Sequence, residues 1–161
     1  MNNKKTMITK NETKIAIIIS RFNYSINTNL LNGALDTLQR IGKITLKNIS
    51  IIYVPGAYEI PTISNIIANK KQHHAIITLG TIIKGKTSHY SYISNTIISE
   101  LLKISIKTNI PISLGIITAN NIEQAVERSG LKLGNKGIES ALAALEMIDV
   151  IKNIKKQHYS K

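Results

Sequence analysis

Apolar positions fall into two kinds of run along this chain. Lys14–Ser20 (KIAIIIS) is continuously apolar and of strand length, the pattern of a strand covered on both faces. Ile26–Ile41 carries its apolar residues at helical spacing, and Gly42 supplies the stop. Ile44–Val54 reads as the next strand, broken by Pro55-Gly56. Pro61 then stands near the start of a helix running to about Lys70, where a missing N–H is tolerated. Ala75–Ile83 is a third strand. After a turn at Lys84-Gly85-Lys86-Thr87, a helix is expected from about Ser88 to Lys107. Pro111 precedes a fourth strand, Ile112–Thr118. Asn120 followed by Glu123 has the spacing of a capped helix start, and that helix ends at Gly130. Gly134-Asn135 opens the last helix, whose ALAALEMI stretch (Ala141–Ile148) is strongly helix-prone.

Strands alternating with helices at this spacing imply βαβ units. The expected fold is α/β, a three-layer αβα sandwich around a four-stranded parallel sheet. One domain is expected over 14–154, with a polar arm at 1–13 and a polar, fraying tail at 155–161. Right-handed crossovers put every strand-to-helix loop at one edge of the sheet, where ligands of such sheets bind. The loops of interest are therefore Arg21–Asn23, Pro55–Glu59, Lys84–His89 and Thr118–Asn121.

Composition narrows the class. At 161 residues and 43% apolar, the chain is one domain's worth of sequence with enough apolar surface for a core. It has no cysteine, which removes disulfides and thiolate metal sites and fits a reducing compartment. No apolar run reaches the roughly 20 residues that span a bilayer. Met1–Lys14 is polar and lysine-rich rather than a secretory signal, so a cytoplasmic protein with no membrane partner is expected. The net charge of +12 invites a nucleic-acid reading, but the charge is scattered lysine, with Arg21, Arg40 and Arg128 the only arginines. Aromatics at 4% are too few for base-stacking platforms, and no nucleic-acid partner is expected. The basic surface points to anionic small molecules instead. His73, His74 and His158 read as solvated residues without a partner at ligand spacing, so no metal site is expected.

Gly80-Thr-Ile-Ile-Lys-Gly85-Lys86-Thr87 matches GxxxxGK[ST] letter for letter. Its interior, Thr81-Ile82-Ile83, is β-branched and prefers extended structure to a phosphate-wrapping loop. Asp36 and Asp149 lie in helical patterns, which leaves no aspartate to hold magnesium at a strand end. The nucleotide reading is therefore rejected, but the local physics stays. A strand ends, Gly85 permits a tight turn, and Thr87-Ser88 begin a helix whose free N–H groups and Lys86 favour an anion. His89 sits in the first turn of that helix, placed for proton transfer; the plainer reading is a capped helix bearing an incidental histidine. Glu59, near another helix start, either accepts ligand hydroxyls or stabilises the helix dipole.

Five strings in order decide between these readings: SRFN (20–23), VPGAYEIP (54–61), GTIIKGKTSHY (80–90), NIEQAVERSG (121–130) and GNKG (134–137). Together they closely resemble the lumazine synthase family over about Lys14–Ile151. The resemblance implies a flavodoxin-like sheet and a transferase-class condensing enzyme of riboflavin biosynthesis. Its members join 5-amino-6-(D-ribitylamino)uracil to 3,4-dihydroxy-2-butanone 4-phosphate, releasing phosphate and water, with no cofactor and no metal. By similarity Phe22 stacks on the pyrimidine, Ala57, Tyr58 and Glu59 hold that substrate, and Thr81, Ile82 and Ile83 line it through their backbone. Lys86, Thr87 and Arg128 bind the butanone phosphate, Lys136 supports the site, and His89 is the proton donor.

Two positions depart from the family pattern. Leu114 stands where an aromatic usually meets the substrate ring, which implies weaker pyrimidine binding by roughly 0.5–1.5 kcal/mol. Ser91 stands where an acid commonly follows the histidine and its aromatic neighbour. The resemblance also implies a homo-pentamer with sites between subunits, the strand-four loop and Arg128 coming from the neighbour. In many members twelve pentamers close into an icosahedral 60-mer, with riboflavin synthase as a further partner and the N-terminal arm added to a neighbour's sheet edge. A different class of function, a flavin or lumazine carrier that has lost the reaction, is disfavoured by the retention of His89, Arg128 and Lys136.

Overall fold

The computed structural model describes residues 12–130 and 134–157. Strands β1 (Ile15–Ser20), β2 (Ile49–Val54), β3 (Ala75–Ile83) and β4 (Ile112–Ala119) form one sheet in the order β2-β1-β3-β4. All of its pairings are parallel. The helices among the described residues are α1 (Tyr24–Arg40), α2 (Ile60–Lys70), α3 (His89–Thr108), α4 (Ile122–Glu127) and α5 (Lys136–Gln157).

The isoleucine runs explain the layering. In β1, Ile15, Ile17 and Ile19 point into one apolar cluster while Ala16 and Ile18 point into the other. A strand buried on both faces needs no polar alternation, which is why KIAIIIS reads as continuously apolar. The first cluster lies under α1, α4 and α5, the second under α2 and α3. Within the layers α1 packs on α5 and α2 on α3, so the expected αβα sandwich is the one observed. Two glycines let α5 sit close. A Cβ at Gly115 would come within 2.9 Å of Ser140 Oγ on α5, and one at Gly137 within 2.0 Å of the Leu30 carbonyl oxygen.

Several boundaries differ from the sequence reading. β2 begins at Ile49, not Ile44, because β1 begins at Ile15 and pairs there with Ile49; earlier residues have no partner strand. Ile44 is buried instead against the end of α1, its N–H on the Leu38 carbonyl, and Leu46–Asn48 make a short 3₁₀ turn. α1 starts at Tyr24, two residues earlier than expected. The cap of α4 shifts by one residue: Asn121 Oδ1 accepts from Gln124 N, and Gln124 Oε1 in turn accepts from Asn120 N. α5 continues through Gln157, into the segment read as tail. Of the arm expected over 1–13 to add to a neighbour's sheet edge, all but Glu12 and Thr13 lies outside the described residues, as does His158. His73 and His74 are not simply solvated. His73 Nε2 lies 3.1 Å from Ser50 Oγ, and His74 Nδ1 accepts the Lys14 N–H at 3.0 Å.

Candidate functional site

The four strands end together along one edge, and their loops are stitched to one another. After β1, Arg21 N donates to the Val54 carbonyl (2.8 Å) and Phe22 N to that of Pro55 (3.1 Å). This ties the first loop to the end of β2. Asn23 takes a left-handed conformation (φ 62°), which an asparagine tolerates, and its side chain crosses to the Thr81 carbonyl at 2.9 Å. That bond explains why Asn23 gives α1 no side-chain cap. After β3, Lys84 N donates to the Ala119 carbonyl at the end of β4 (2.8 Å).

The predicted residues distribute over this edge as follows. Phe22 and Tyr58 are 72% and 70% exposed, two aromatic side chains left uncovered on neighbouring loops. Ala57, Tyr58 and Glu59 form a 3₁₀ turn leading into α2. Glu59 Oε2 accepts the Gly56 N–H at 2.9 Å, so the carboxylate is oriented by its own loop. Thr81 is buried while Ile82 and Ile83 are half-buried at the end of β3, the extended structure that excludes a P-loop wrap. Lys86, Thr87 and His89 are all exposed. His89 is the first residue of α3, and Ser88 provides no side-chain cap, so the first-turn N–H groups are not satisfied by it. The turn does not use the conformational freedom of Gly85, whose φ is not left-handed; a Cβ there would meet only open space.

Arg128 follows α4 and reaches back to the same edge, its Nη1 donating to the Thr118 carbonyl at 3.0 Å. Its backbone carbonyl accepts from Lys136 N (3.0 Å), and Lys136 Nζ pairs with Glu139 at 3.0 Å. Leu114 is not brought to this cluster. It lies in the first half of β4, the outer strand, with 37% of its surface exposed. Ala119 lies five positions further on, about 16 Å along the strand. Ser91 lies in the first turn of α3, its N–H on the Ser88 carbonyl.

Two asparagines hold these loops: Asn135, expected to open the last helix, and Asn27, which sequence reasoning passed over. Asn135 spends both amide hydrogens, on the carbonyls of Asn29 and Ser129, and its oxygen accepts from Gly137 N and Ile138 N. It thus fastens the segment after Arg128 to α1 and α5. Asn27, on the buried face of α1, bonds to the end of β1, to the Phe22 carbonyl and to Thr81. A polar residue among Ile26, Leu30, Leu31 and Ala34 was the available signal.

Among the described residues there is no cluster of three or more His, Cys, Asp or Glu able to hold a metal, and no helix long and apolar enough to cross a membrane.

Residues 12–152 match the sequence profile of the family described as 6,7-dimethyl-8-ribityllumazine synthase. A protein of that name from Buchnera aphidicola subsp. Baizongia pistaciae is 65% identical over 148 residues, covering 92% of this chain and 93% of its own. One from Buchnera aphidicola subsp. Acyrthosiphon pisum (strain Tuc7) is 57% identical over 159 residues and 99% of both chains. One from Yersinia pestis (strain Pestoides F) is 46% identical over 155 residues, or 96% and 99%.

Proposed function

We propose, from the premise that this chain belongs to the 6,7-dimethyl-8-ribityllumazine synthase family, that it condenses 5-amino-6-(D-ribitylamino)uracil with 3,4-dihydroxy-2-butanone 4-phosphate. It is a transferase-class condensing enzyme of riboflavin biosynthesis, releasing phosphate and water. The observation that carries the reading is the single stitched edge: the loops after all four strands bear the matching strings and are hydrogen-bonded into one unit.

In this reading Phe22, Ala57, Tyr58 and Glu59 take the pyrimidine, with Glu59 on ribityl hydroxyls and the strand end Thr81–Ile83 offering backbone groups to the ring. Lys86 and Thr87, together with Arg128 of an adjacent chain, take the phosphate, helped by the uncapped N-terminus of α3. Lys136 stands behind them as a supporting charge. His89, on the first turn beside that anion, moves protons between the reacting amine, the carbonyl and the leaving phosphate. Much of the rate comes from holding two reactants at one angle.

The position of Leu114 supports a site shared between chains. Partly exposed on the outer strand and distant from its own chain's cluster, it takes a neighbour's pyrimidine in this reading. The working form is then a pentamer, with the 60-mer shell as its closed assembly and riboflavin synthase as a partner. The catalytic unit is the single domain 14–154, acting in the cytoplasm. The test supplies both substrates and follows phosphate release together with lumazine fluorescence. Folded protein that gives no product above the uncatalysed background refutes the assignment.

A further inference from the structure

We infer that Asn27 is a positioning residue for the pyrimidine side of the site, coupling the Phe22 loop to the end of β3. This inference rests on the functional reading above. Asn27 is fully buried, yet it lies on α1 and reaches no surface where a ligand could touch it. Its amide hydrogens go to two carbonyls on the β1 exit, Ser20 at 2.8 Å and Phe22 at 2.7 Å. Its carbonyl oxygen accepts the Thr81 hydroxyl at 2.7 Å. One side chain therefore joins two of the segments that the function assigns to the same ring.

The arrangement explains how an exposed aromatic is held still. The Phe22 side chain is uncovered in this chain, so packing does not hold it in place. Its backbone is held instead from both sides, by Pro55 through its N–H and by Asn27 through its carbonyl. Thr81 is gripped at two points as well, its hydroxyl by Asn27 and its carbonyl by Asn23. Removing the amide leaves the Phe22 carbonyl only the Ser20 hydroxyl at 3.3 Å, and takes from the Ser20 carbonyl and the Thr81 hydroxyl their Asn27 partner in a dry place, so the segment relaxes toward water. The Phe22 loop and the β3 end then lose their mutual register, while the phosphate loop after β3 and Arg128 keep their own bonds.

The experiment uses the full-length protein in its native assembly. Asn27→Leu keeps the volume and removes the hydrogen bonds. It is expected to raise KM for the ribitylaminouracil about tenfold. KM for the butanone phosphate should move less than about twofold, since that subsite has separate supports. Thr81→Val should raise the same KM by less, and the double variant should be no worse than Asn27→Leu alone. Amide hydrogen exchange supplies a readout independent of turnover: peptides covering 20–23 and 81–83 should exchange faster in Asn27→Leu, while 122–130 should not. Should Asn27→Leu fail to fold, Thr81→Val carries both readouts. Equal rises in both KM values, no rise in either, or unchanged exchange at 20–23 and 81–83 overturns the inference. A parent protein that makes no lumazine sinks the reaction assignment alone, and exchange then decides the coupling.

Discussion

Replacing Gly137 by alanine sets two physical effects against each other, and the structure decides the sign. Gly137 is the second residue of α5, so helix propensity alone favours alanine by up to about 1 kcal/mol. The added methyl, however, would lie 2.0 Å from the Leu30 carbonyl oxygen, 2.7 Å from its carbon and 2.9 Å from Asn135 Oδ1. Ordinary contact begins near 3.4 Å, so α5 must retreat from α1 by about 1.4 Å or bend away. Both neighbours are inflexible: one is helix backbone and the other an amide with all its hydrogen bonds made. Overpacking of this kind costs about 1–3 kcal/mol, and prising apart the Asn135 bonds brings the upper end into play. We expect a net loss of about 2 kcal/mol. Urea unfolding followed by far-ultraviolet circular dichroism should show the midpoint falling by about 1 M, given a slope near 2 kcal/mol per M. Gly85→Ala, whose methyl would meet open space, is the control and should leave the midpoint within about 0.3 M. A midpoint for Gly137→Ala at or above that of the parent would refute the close approach of α1 and α5.

Other outcomes follow from the same geometry. Asn121→Ala should destabilise by about 1 kcal/mol in thermal or urea unfolding while Asn120→Ala changes little, because only the Asn121 side chain caps α4. Burial, together with Lys14, His74 and Lys70, holds the His73 imidazole below its ordinary value of 6.5. The unfolded chain then binds the proton more readily, so stability present above about pH 6.5 is lost as the pH falls through that value. His73→Gln should flatten this part of the stability profile between pH 7.5 and 5.5 (about one unit either side of the free value), and identical slopes would contradict the assignment. His89→Ala should lower kcat by about a hundredfold or more with the circular dichroism spectrum unchanged. Light scattering should give a particle several times the 17.8 kDa chain mass; a monomer at working concentration would exclude a site shared between chains.

The sequence is most legible where one physical demand dominates. β3 was bounded correctly at both ends because an apolar run between His74 and Lys84 has only one way to be buried on both faces. Ile44 misled for the same reason: its burial is real, but it plugs the end of α1, and periodicity does not tell a plug from a strand. The cap at α4 was missed by one residue because two asparagines stand side by side and only geometry shows whose side chain turns inward. The proposed roles of Lys86 and His89 follow from the helix start they sit on and from the family strings, whereas that of the exposed Arg128 rests on the strings alone. Asn27, and the ties of Asn135 beyond the helix it opens, escaped because that work is done largely through backbone carbonyls, which have no letter in the sequence.

In the proposed reading, where Glu59 takes ribityl hydroxyls, its own turn readies the group before a ligand arrives. Its carboxylate already rests on the Gly56 N–H, inside a turn of its own loop. A free glutamate must surrender about 1.5–2 kcal/mol of rotamer freedom to be held still. Here that ordering occurs once, when the chain folds, rather than at each encounter with a polyol. A hydroxyl arriving at Glu59 meets an acceptor with its direction set, so more of the contact's strength survives as affinity. The same bond limits the group's reach: a ligand that needs the carboxylate elsewhere must first break it from Gly56. Selectivity for chain length and stereochemistry can thus begin in a three-residue turn.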